Sequence, residues 1–424
     1  MDQSCVREQA HRARDASKRL GCASLDERNS ALESMADALV AHEDEIIAAN
    51  KTDIDAARTK GTRENLIDRL MLDHERIAAC AEALRELSRL DDVLGEVLDQ
   101  RAIAQGIALT HIRVPLGVVG MIYEARPNVT CDAAGIGVKT GNAMLLRGGS
   151  MASTTNAVLV EVLRDALERA GLPGDCIQAV DASDRATATE MMGMRGLIDL
   201  LIPRGGAGLI ASIVENSNVP VIETGTGNCH VYVEKTADLD MARSIIVNAK
   251  CQRPSVCNAA ESLLIDKDIA NQTLEIVVPA LISEGVALAV DPEYFDLVRA
   301  LAGDDANVVE ATDEDYATEY LDLTLSIKVV DDVAEAVAHI NRFGTMHSEA
   351  IITKSEDAAR YFIENVDAAT VYVNASTRFT DGGLFGLGAE IGISTQKIHA
   401  RGPFALKALT TTKYVCRGQG QIRT

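Results

Sequence analysis

The stretch Gly117-Val-Val-Gly-Met-Ile-Tyr123 decides the fold, because its seven residues carry no charge and are almost all apolar. Continuous apolar runs of this length are typical of strands that are buried on both faces of a parallel sheet. Further runs of this kind follow, with helix-length segments between them, at residues 143–146, 177–180, 197–202 and 219–222. This alternation predicts βαβ units around a parallel sheet.

The hydrophobic pattern changes on both sides of this series. Upstream, residues 26–100 carry apolar side chains such as Leu32, Met35 and Leu39 at helical spacing, so we expect helices there. The glycine cluster near residues 225–235 predicts a domain boundary, and the chain is expected to be an α/β protein with two parallel-sheet domains. Downstream of that boundary a second alternation predicts strands at 229–233, 262–265, 325–330, 349–353 and 370–374.

Two strand-like stretches, at residues 101–115 and 405–416, lie outside both series. They could pair with each other or with a partner subunit. We therefore expect a small β-extension beside the two domains, and at least a homodimer.

The composition of the 424 residues excludes several classes of protein. A formal charge of −22 argues against nucleic acid as a partner, because a phosphate backbone must be neutralised by a cationic surface. The first twenty residues are too polar for a secretory signal, and no stretch has about 18 consecutive apolar residues. Nine cysteines without a Cys-x-x-Cys pair argue against a disulfide framework or a zinc site. We expect a soluble, cytoplasmic protein without a metal site.

Two glycine-containing turns follow strands of the first series and are candidates for nucleotide binding. LLRGGS (145–150) precedes a helix that Ser153 could cap and that Gly171-Leu172-Pro173 would end. PRGGAGLIA (203–211) precedes a helix that we expect to start near Gly208. Helix N-termini at the carboxyl ends of parallel strands favour phosphate groups, although each turn alone could be an ordinary solvated connection. Two such turns at one sheet edge strengthen each other.

Cys257 is the strongest candidate nucleophile. Pro254 breaks any helix just before it, and the positive charges of Lys250 and Arg253 would favour its thiolate. Cys251 is a rival that local chemistry separates from Cys257 only weakly. A buried structural cysteine is the alternative interpretation of either residue.

Other titratable residues are less specific. Glu223 stands where the predicted strand 219–222 leaves the sheet, and a carboxylate there can act as a base, hold a ribose or cap the next turn. Spacing does not choose among these roles. His230 and His347 have no second ligand at metal spacing, so we expect both to be structural.

Seven ordered segments spread along the chain carry a family resemblance, which extends from about residue 10 to residue 415. Together they resemble the aldehyde dehydrogenase superfamily, and within it the gamma-glutamyl phosphate reductase branch. The segments are VPLGVVGMIYEARPNVT (114–130), LLRGGS (145–150), PVIETGTGNCHVYV (220–233), NAKCQRPSVCNAAESLL (248–264), TEYLDL (318–323), FGTMHSEAIIT (343–353) and STRFTDGGLFGLGAEIGISTQKIHARGP (376–403).

The resemblance implies three catalytic residues. Cys257 takes the position of the nucleophile and is preferred over Cys251 because it precedes Asn258-Ala259-x-Glu261. Asn128 falls where the family places the amide that forms the oxyanion hole with the Cys257 backbone N–H. Glu223 falls on the general base of hydrolytic members. A reductase must protect its thioester from water, so Glu223 would instead serve hydride-transfer geometry or cofactor placement.

The resemblance also implies which residues bind small molecules. Ser150 replaces an acidic residue of many NAD-preferring relatives and leaves room for a 2′-phosphate, so NADPH is the expected cofactor. Arg147 would hold the adenine ribose and Glu319 the nicotinamide ribose. Local arginines would hold the carboxylate or phosphate of an anionic substrate. The implied cofactor residues are Arg147, Gly148, Gly149, Ser150, Gly205, Gly206 and Glu319, and the candidate substrate residues are Arg253, Ser376, Thr377 and Arg378.

The activity implied by the resemblance is NADPH-dependent reduction of L-glutamyl 5-phosphate to L-glutamate 5-semialdehyde and phosphate through a Cys257 thioester, the second step of proline biosynthesis. The preceding glutamate kinase is a candidate partner. The alternatives are a hydrolytic, NAD-linked aldehyde dehydrogenase and a catalytically silent nucleotide-binding scaffold. The implied domains are a dinucleotide-binding domain at 1–103 and 117–228, a catalytic domain at 229–395, and oligomerisation strands at 104–116 and 396–424.

Overall fold

The computed structural model describes residues 4–304 and 306–423. The chain divides into two compact units. The first unit runs to Thr224 and also contains Leu387–Gly392 and the chain from Phe404 onward. The second unit contains Gly225–Gly386 and Ile393–Pro403.

Both units contain helices and strands. The helices in chain order are α1 Ser4–Leu20, α2 Leu25–Ala41, α3 Glu43–Thr59, α4 Glu64–Leu70, α5 His74–Arg89, α6 Asn128–Lys139, α7 Ser153–Arg169, α8 Ala186–Met192, α9 Ala207–Asn216, α10 Leu239–Cys251, α11 Ala270–Ser283, α12 Phe295–Ala302, α13 Asp313–Tyr316, α14 Val333–Phe343 and α15 Glu356–Asn365. The strands are β1 Val97–Ala102, β2 Ala108–Pro115, β3 Val118–Tyr123, β4 Ala143–Arg147, β5 Ile177–Ala179, β6 Leu200–Arg204, β7 Cys229–Val233, β8 Ala260–Asp266, β9 Ala287–Val290, β10 Val308–Glu310, β11 Thr324–Val330, β12 Ser348–Ile352, β13 Thr370–Val373, β14 Gly392–Ser394, β15 Gly402–Phe404 and β16 Thr410–Arg417.

The first unit contains a parallel sheet in the order β5-β4-β3-β6. Every residue of β3 and β4 is buried, as expected of central strands covered on both faces. The apolar runs 117–123, 143–146, 177–180 and 197–202 therefore correctly predicted a parallel sheet. The predicted strand at 219–222 is wrong, because Val221 makes only an isolated bridge to Leu201. Pro220 has no N–H to donate, which prevents a continuous ladder at this edge.

Helix α7 begins directly after the LLRGGS turn, and its N-terminus is held in an unexpected way. Ser153 is the first helical residue and makes no cap, so the predicted Ser153 cap is wrong. Asp53 of α3 takes that role, accepting hydrogen bonds from Thr154 N at 3.3 Å and Thr155 N at 2.8 Å. The helix ends before Gly171, whose φ of 81° confirms the predicted stop.

A three-stranded antiparallel sheet, β1-β2-β16, forms a separate part of the first unit. The register of β16 on β2 runs from Thr410↔Pro115 to Arg417↔Ala108, which confirms that the two strand-like stretches pair with each other. The His111 and Tyr414 rings stack across this pair with centroids 4.2 Å apart. Pairing with a second subunit through this sheet remains a prediction.

The second unit is built on a seven-stranded parallel sheet in the order β10-β9-β11-β8-β7-β12-β13. The five predicted strands of the second series correspond to β7, β8, β11, β12 and β13. Strands β9 and β10 were not predicted, because they have only four and three residues. Across residues 4–304 and 306–423, no helix is both long enough and apolar enough to cross a membrane.

Buried polar side chains lie inside the second unit beside β7 and β12. His230 and Glu349 are both fully buried, and His230 Nδ1 lies 3.0 Å from Glu349 Oε2. His347 is also fully buried, and its Nδ1 lies 2.9 Å from Ser348 Oγ. Burial lowers the pKa of His347 to about 4 from an ordinary value near 6.5. These positions agree with the structural role expected of both histidines.

The depressed pKa of His347 predicts a loss of stability in acid. Because the unfolded chain binds this proton more readily, the stabilisation is complete above pH 6.5 and is lost as the pH falls toward 4. From pH 7.5 to 5 we expect His347 to contribute a loss of about 2 kcal/mol in the free energy of unfolding. Urea unfolding of the wild type and His347→Gln at both pH values measures this contribution. Equal losses in the two proteins would contradict it.

Candidate active site

Cys257 lies in the second unit, in the loop that joins α10 to β8, and is half-buried. The thiol of Cys229 donates to the Cys257 carbonyl oxygen at 3.2 Å and so supports the loop from the buried side. The rival Cys251 is the last residue of α10, and burial raises the pKa of its thiol to about 11. Burial of this kind disfavours a Cys251 thiolate, and Cys257 stays the candidate nucleophile.

Gly227 lies against the backbone of the loop between α10 and β8 that contains Cys257, which we call the nucleophile loop. A Cβ atom at this position would lie 1.5 Å from the Cys257 carbonyl oxygen, so only glycine fits. The Gly227 N–H donates to Glu319 Oε1 at 2.6 Å, and burial raises the pKa of that glutamate. One glycine thus joins the Cys257 loop to the predicted ribose-binding carboxylate. The sequence analysis did not identify Gly227.

Lys250 does not supply positive charge to Cys257 in the way that the sequence suggested. Its side chain is fully buried, and Nζ lies 2.6 Å from Glu261 Oε2, whose side chain is also fully buried. The charge of this lysine is therefore directed at a carboxylate inside the unit. The prediction that Lys250 activates the thiol is wrong, because its partner lies on β8.

Two arginines near Cys257 carry the remaining positive charge of this site. Arg378 Nε donates to Gln252 Oε1 at 2.9 Å, which fixes the guanidinium plane. Burial lowers the pKa of Arg378, the nearby charge of Arg253 lowers it further, and Cys257 acts in the opposite direction. Arg378 is therefore within electrostatic range of both Cys257 and Arg253, and two neighbouring guanidinium groups form an anion-binding arrangement. Gln252 is a further residue that the sequence analysis missed.

The predicted substrate loop is bonded to the residue that follows the nucleophile. Asn258 Nδ2 donates to the Thr380 carbonyl oxygen at 2.8 Å, and Thr377 Oγ1 donates to the Asn258 carbonyl oxygen at 2.8 Å. Ser376 Oγ accepts from Arg378 N at 3.3 Å. Ser376 and Thr377 are buried, so in this structure their hydroxyl groups hold the loop in place.

Asn128 lies in the first unit as the exposed first residue of α6. Its Nδ2 donates to Asp132 Oδ2 at 3.3 Å, one helical turn away. Burial raises the pKa of Asp132 to about 6. One N–H of the Asn128 amide is used in this contact, and the second N–H is left for another acceptor.

The predicted nucleotide-binding residues of the first unit follow β4. Arg147 is 9% exposed, and its guanidinium donates to Thr187 Oγ1 at 3.0 Å and to the Asp184 carbonyl oxygen at 3.1 Å. A cavity of about 320 Å³ opens beside Gly148, large enough for a planar base. A Cβ on Gly148 would lie 2.1 Å from Asn156 Nδ2, so the turn requires glycine. The cavity is lined by residues that include Tyr123, Leu146, Gly148, Asn156, Val180 and Asp181. Gly149 and Ser150 form the outer part of the same turn, and Ser150 is exposed.

The second glycine turn, PRGGAGLIA (203–211), already binds the side-chain carboxylate of Glu124. Gly206 N donates to Glu124 Oε1 at 2.9 Å, and a Cβ on Gly205 would lie 2.7 Å from the same carboxyl group. Gly206 directly precedes α9, so an anionic group occupies the N-terminus of that helix. A phosphate that used Gly206 N–H would have to displace Glu124, which the sequence analysis did not identify.

The remaining predicted catalytic residue, Glu223, is half-buried in the first unit, next to Thr224. Thr224 Oγ1 donates to the Pro203 carbonyl oxygen at 3.3 Å and so fixes the end of this segment. Asn128 and Glu223 thus belong to the first unit, while Cys257 and Glu319 belong to the second. Each unit carries part of the predicted site.

Comparison with known proteins identifies the family to which the chain belongs. The sequence profile of the aldehyde dehydrogenase family matches residues 1–293. The chain is 55% identical to the gamma-glutamyl phosphate reductase of Heliobacterium modesticaldum over 97% of each chain, and 53% identical to that of Thermobifida fusca over 99% of this chain and 98% of the relative. The crystal structure of gamma-glutamyl phosphate reductase from Thermotoga maritima superimposes with a TM-score of 0.95 at 44% identity, covering 99% of this chain and 100% of that one. The chain belongs to the aldehyde dehydrogenase family, on the branch formed by these gamma-glutamyl phosphate reductases.

Proposed function

We propose that this protein reduces L-glutamyl 5-phosphate to L-glutamate 5-semialdehyde, with release of phosphate and NADPH as reductant, in proline biosynthesis. The observation that carries the proposal is the half-buried Cys257, with Arg378 within electrostatic range of it and Arg253 within electrostatic range of Arg378. A thiolate beside such cationic groups suits an anionic acyl donor. Relatives of 49–55% identity along nearly the whole chain bear the name of this activity.

Cys257 is the residue that forms the covalent bond. Its sulfur attacks the acyl carbon of the substrate, the carbon–sulfur bond forms, and the bond from carbon to the phosphate oxygen breaks. Asn128 is proposed to stabilise the oxyanion through the N–H that Asp132 leaves free, together with the Cys257 backbone N–H. Phosphate departs readily because it is a weak base. The acyl group is then held as a thioester, which water must not reach.

The residues present fit a dinucleotide. The cavity beside Gly148 can take the base, Arg147 is hydrogen-bonded to Thr187 of its lining, and Glu319 presents an acceptor suited to ribose hydroxyl groups. Gly149, Ser150, Gly205 and, once Glu124 is displaced, Gly206 are proposed to approach the phosphates, with Ser150 adjacent to the 2′-phosphate. NADPH supplies, when bound, the hydride that reduces the acyl carbon. Cys257 then leaves as a thiolate and the aldehyde is released. Glu223 is proposed to serve cofactor placement rather than water activation.

Substrate binding is assigned to Arg253 and Arg378, with Ser376 and Thr377 shaping the loop that presents Arg378. The two guanidinium groups would hold the phosphate and a carboxylate of the substrate. The proposal also includes a cytoplasmic location, a homodimer or higher homo-oligomer, and supply of the labile acyl phosphate by glutamate kinase.

Phosphate dependence tests the proposed function. With glutamate 5-semialdehyde and NADP, the reverse reaction should reduce NADP only when inorganic phosphate is present, because phosphate must accept the acyl group from Cys257. In Arg378→Gln the KM for phosphate should rise about tenfold or more, with a smaller change in kcat. NADP reduction without phosphate would indicate a hydrolytic aldehyde dehydrogenase instead. A catalytically silent scaffold would reduce no NADP, whether or not phosphate is present.

A further inference from the structure

The Lys250–Glu261 ion pair is sealed inside the second unit. Both side chains are 0% exposed, and Nζ lies 2.6 Å from Glu261 Oε2. Removing two charges from water is costly, and well-packed apolar residues often stabilise a protein as well as a buried ion pair does. Stability alone therefore does not account for this pair.

The second carboxylate oxygen of Glu261 acts on a strained segment. Glu261 Oε1 accepts a hydrogen bond from Leu321 N at 3.2 Å. Leu321 has a φ of 54°, in the left-handed region that residues other than glycine seldom adopt. A conformation of this kind persists only where the surroundings hold it, and Glu261 supplies one such constraint.

The same segment presents Glu319 to the nucleophile loop. Glu319 Oε1 accepts from Gly227 N at 2.6 Å, and Gly227 packs against the Cys257 carbonyl group. A continuous set of contacts thus leads from the buried pair through Leu321 and Glu319 to Cys257. All of these residues belong to the second unit.

We infer that Lys250 and Glu261 are positioning residues, which fix the Glu319 carboxylate in the place where the proposed function requires the cofactor ribose to bind. The inference rests on the proposed function. The lysine is needed as well as the glutamate, because Glu261 and Glu319 are close enough to repel each other. Burial raises the pKa of Glu261 to about 7, Lys250 opposes this rise, and Glu319 adds to it.

Binding of NADPH in the absence of substrate tests the inference, with NADPH fluorescence as the readout. Lys250→Met and Glu261→Ala should each raise the Kd about tenfold or more, since one leaves a carboxylate unpaired and the other removes the acceptor for Leu321 N–H. The double variant Lys250→Met/Glu261→Gln keeps an acceptor and leaves no unpaired charge. Its Kd should return to within about threefold of the wild-type value.

Two controls separate positioning from general damage. Lys328→Met breaks the 2.7 Å pair between Lys328 of β11 and Asp291, which is outside the set of contacts that leads from Glu261 to Cys257, and should leave the Kd for NADPH unchanged. The rate of Cys257 alkylation by iodoacetamide without cofactor should stay within about threefold in Lys250→Met and in the double variant.

The outcomes that contradict the inference are distinct. Unchanged NADPH binding in Lys250→Met and Glu261→Ala overturns it, and so does a loss of the same size in Lys328→Met. A double variant that folds but binds as weakly as the single variants also overturns it. In these cases a wild type that binds NADPH and shows phosphate-dependent turnover leaves the proposed function intact. A wild type that does neither overturns both.

Discussion

Cys257→Ala is expected to lower kcat/KM for the phosphate-dependent reaction by roughly 10⁴-fold or more, because the neighbouring thiols of Cys229 and Cys251 cannot form the acyl bond in its place. Cys229 is buried and its thiol pKa is raised far above the ordinary value, while Cys251 is also shifted upward by burial. Neither can replace the missing nucleophile. The effect is measured by the turnover of the wild type and of Cys257→Ala, together with mass spectrometry of each protein after exposure to the acyl donor.

Cys251→Ala is the matched control for this substitution. It removes a thiol from the same segment of chain and should retain kcat/KM within a few-fold. It should also gain the mass of the acyl group, whereas Cys257→Ala should not. Retained turnover in Cys257→Ala, or loss of the acyl adduct only in Cys251→Ala, would show that the nucleophile has been assigned to the wrong residue.

The strands were predictable where burial is uniform. The run 229–233 is β7 with the same bounds, because a strand in the middle of a parallel sheet is buried at every position and is therefore largely apolar. The edge of that sheet was not predictable, since β10 has three residues, two of which are exposed. Residues 219–222 have the apolar pattern of a strand, but Pro220 has no backbone N–H to donate to a neighbouring strand. Hydrophobic pattern thus predicts burial and leaves hydrogen bonding undetermined.

The site was predictable only in part, for a related reason. Sequence resemblance implied roles for Cys257 and Glu319 through their motifs, and the arginines were candidates because an acidic chain needs local positive charge to bind an anion. It could not identify what each side chain contacts, because partners come from distant segments. Lys250 looked like an activating cation until the structure placed Glu261 beside it. Gly227 looked like one glycine among several, and only the fold brings it against Cys257.

The close approach of Gly227 explains why a single methyl group should be so damaging here. An added Cβ would lie 1.5, 2.3 and 2.6 Å from the carbonyl oxygen, carbonyl carbon and Cα of Cys257. All three are backbone atoms, so no side-chain rotation can relieve the clash. Either the nucleophile loop moves, or Gly227 moves and its hydrogen bond to Glu319 is lost.

Gly227→Ala should therefore lower kcat/KM by about 10²-fold or more, because a displacement of about 1 Å at the reacting groups is enough for such a loss. Overpacking should also cost about 1–3 kcal/mol of stability, visible as a lower Tm. Gly225→Ala is the matched control, since the three atoms nearest to its Cβ all belong to the side chain of Thr395 and not to backbone, and it should lose much less activity. Equal effects of the two substitutions on kcat/KM would contradict the role of Gly227 in placing Cys257, because both would then reflect general disturbance of the segment.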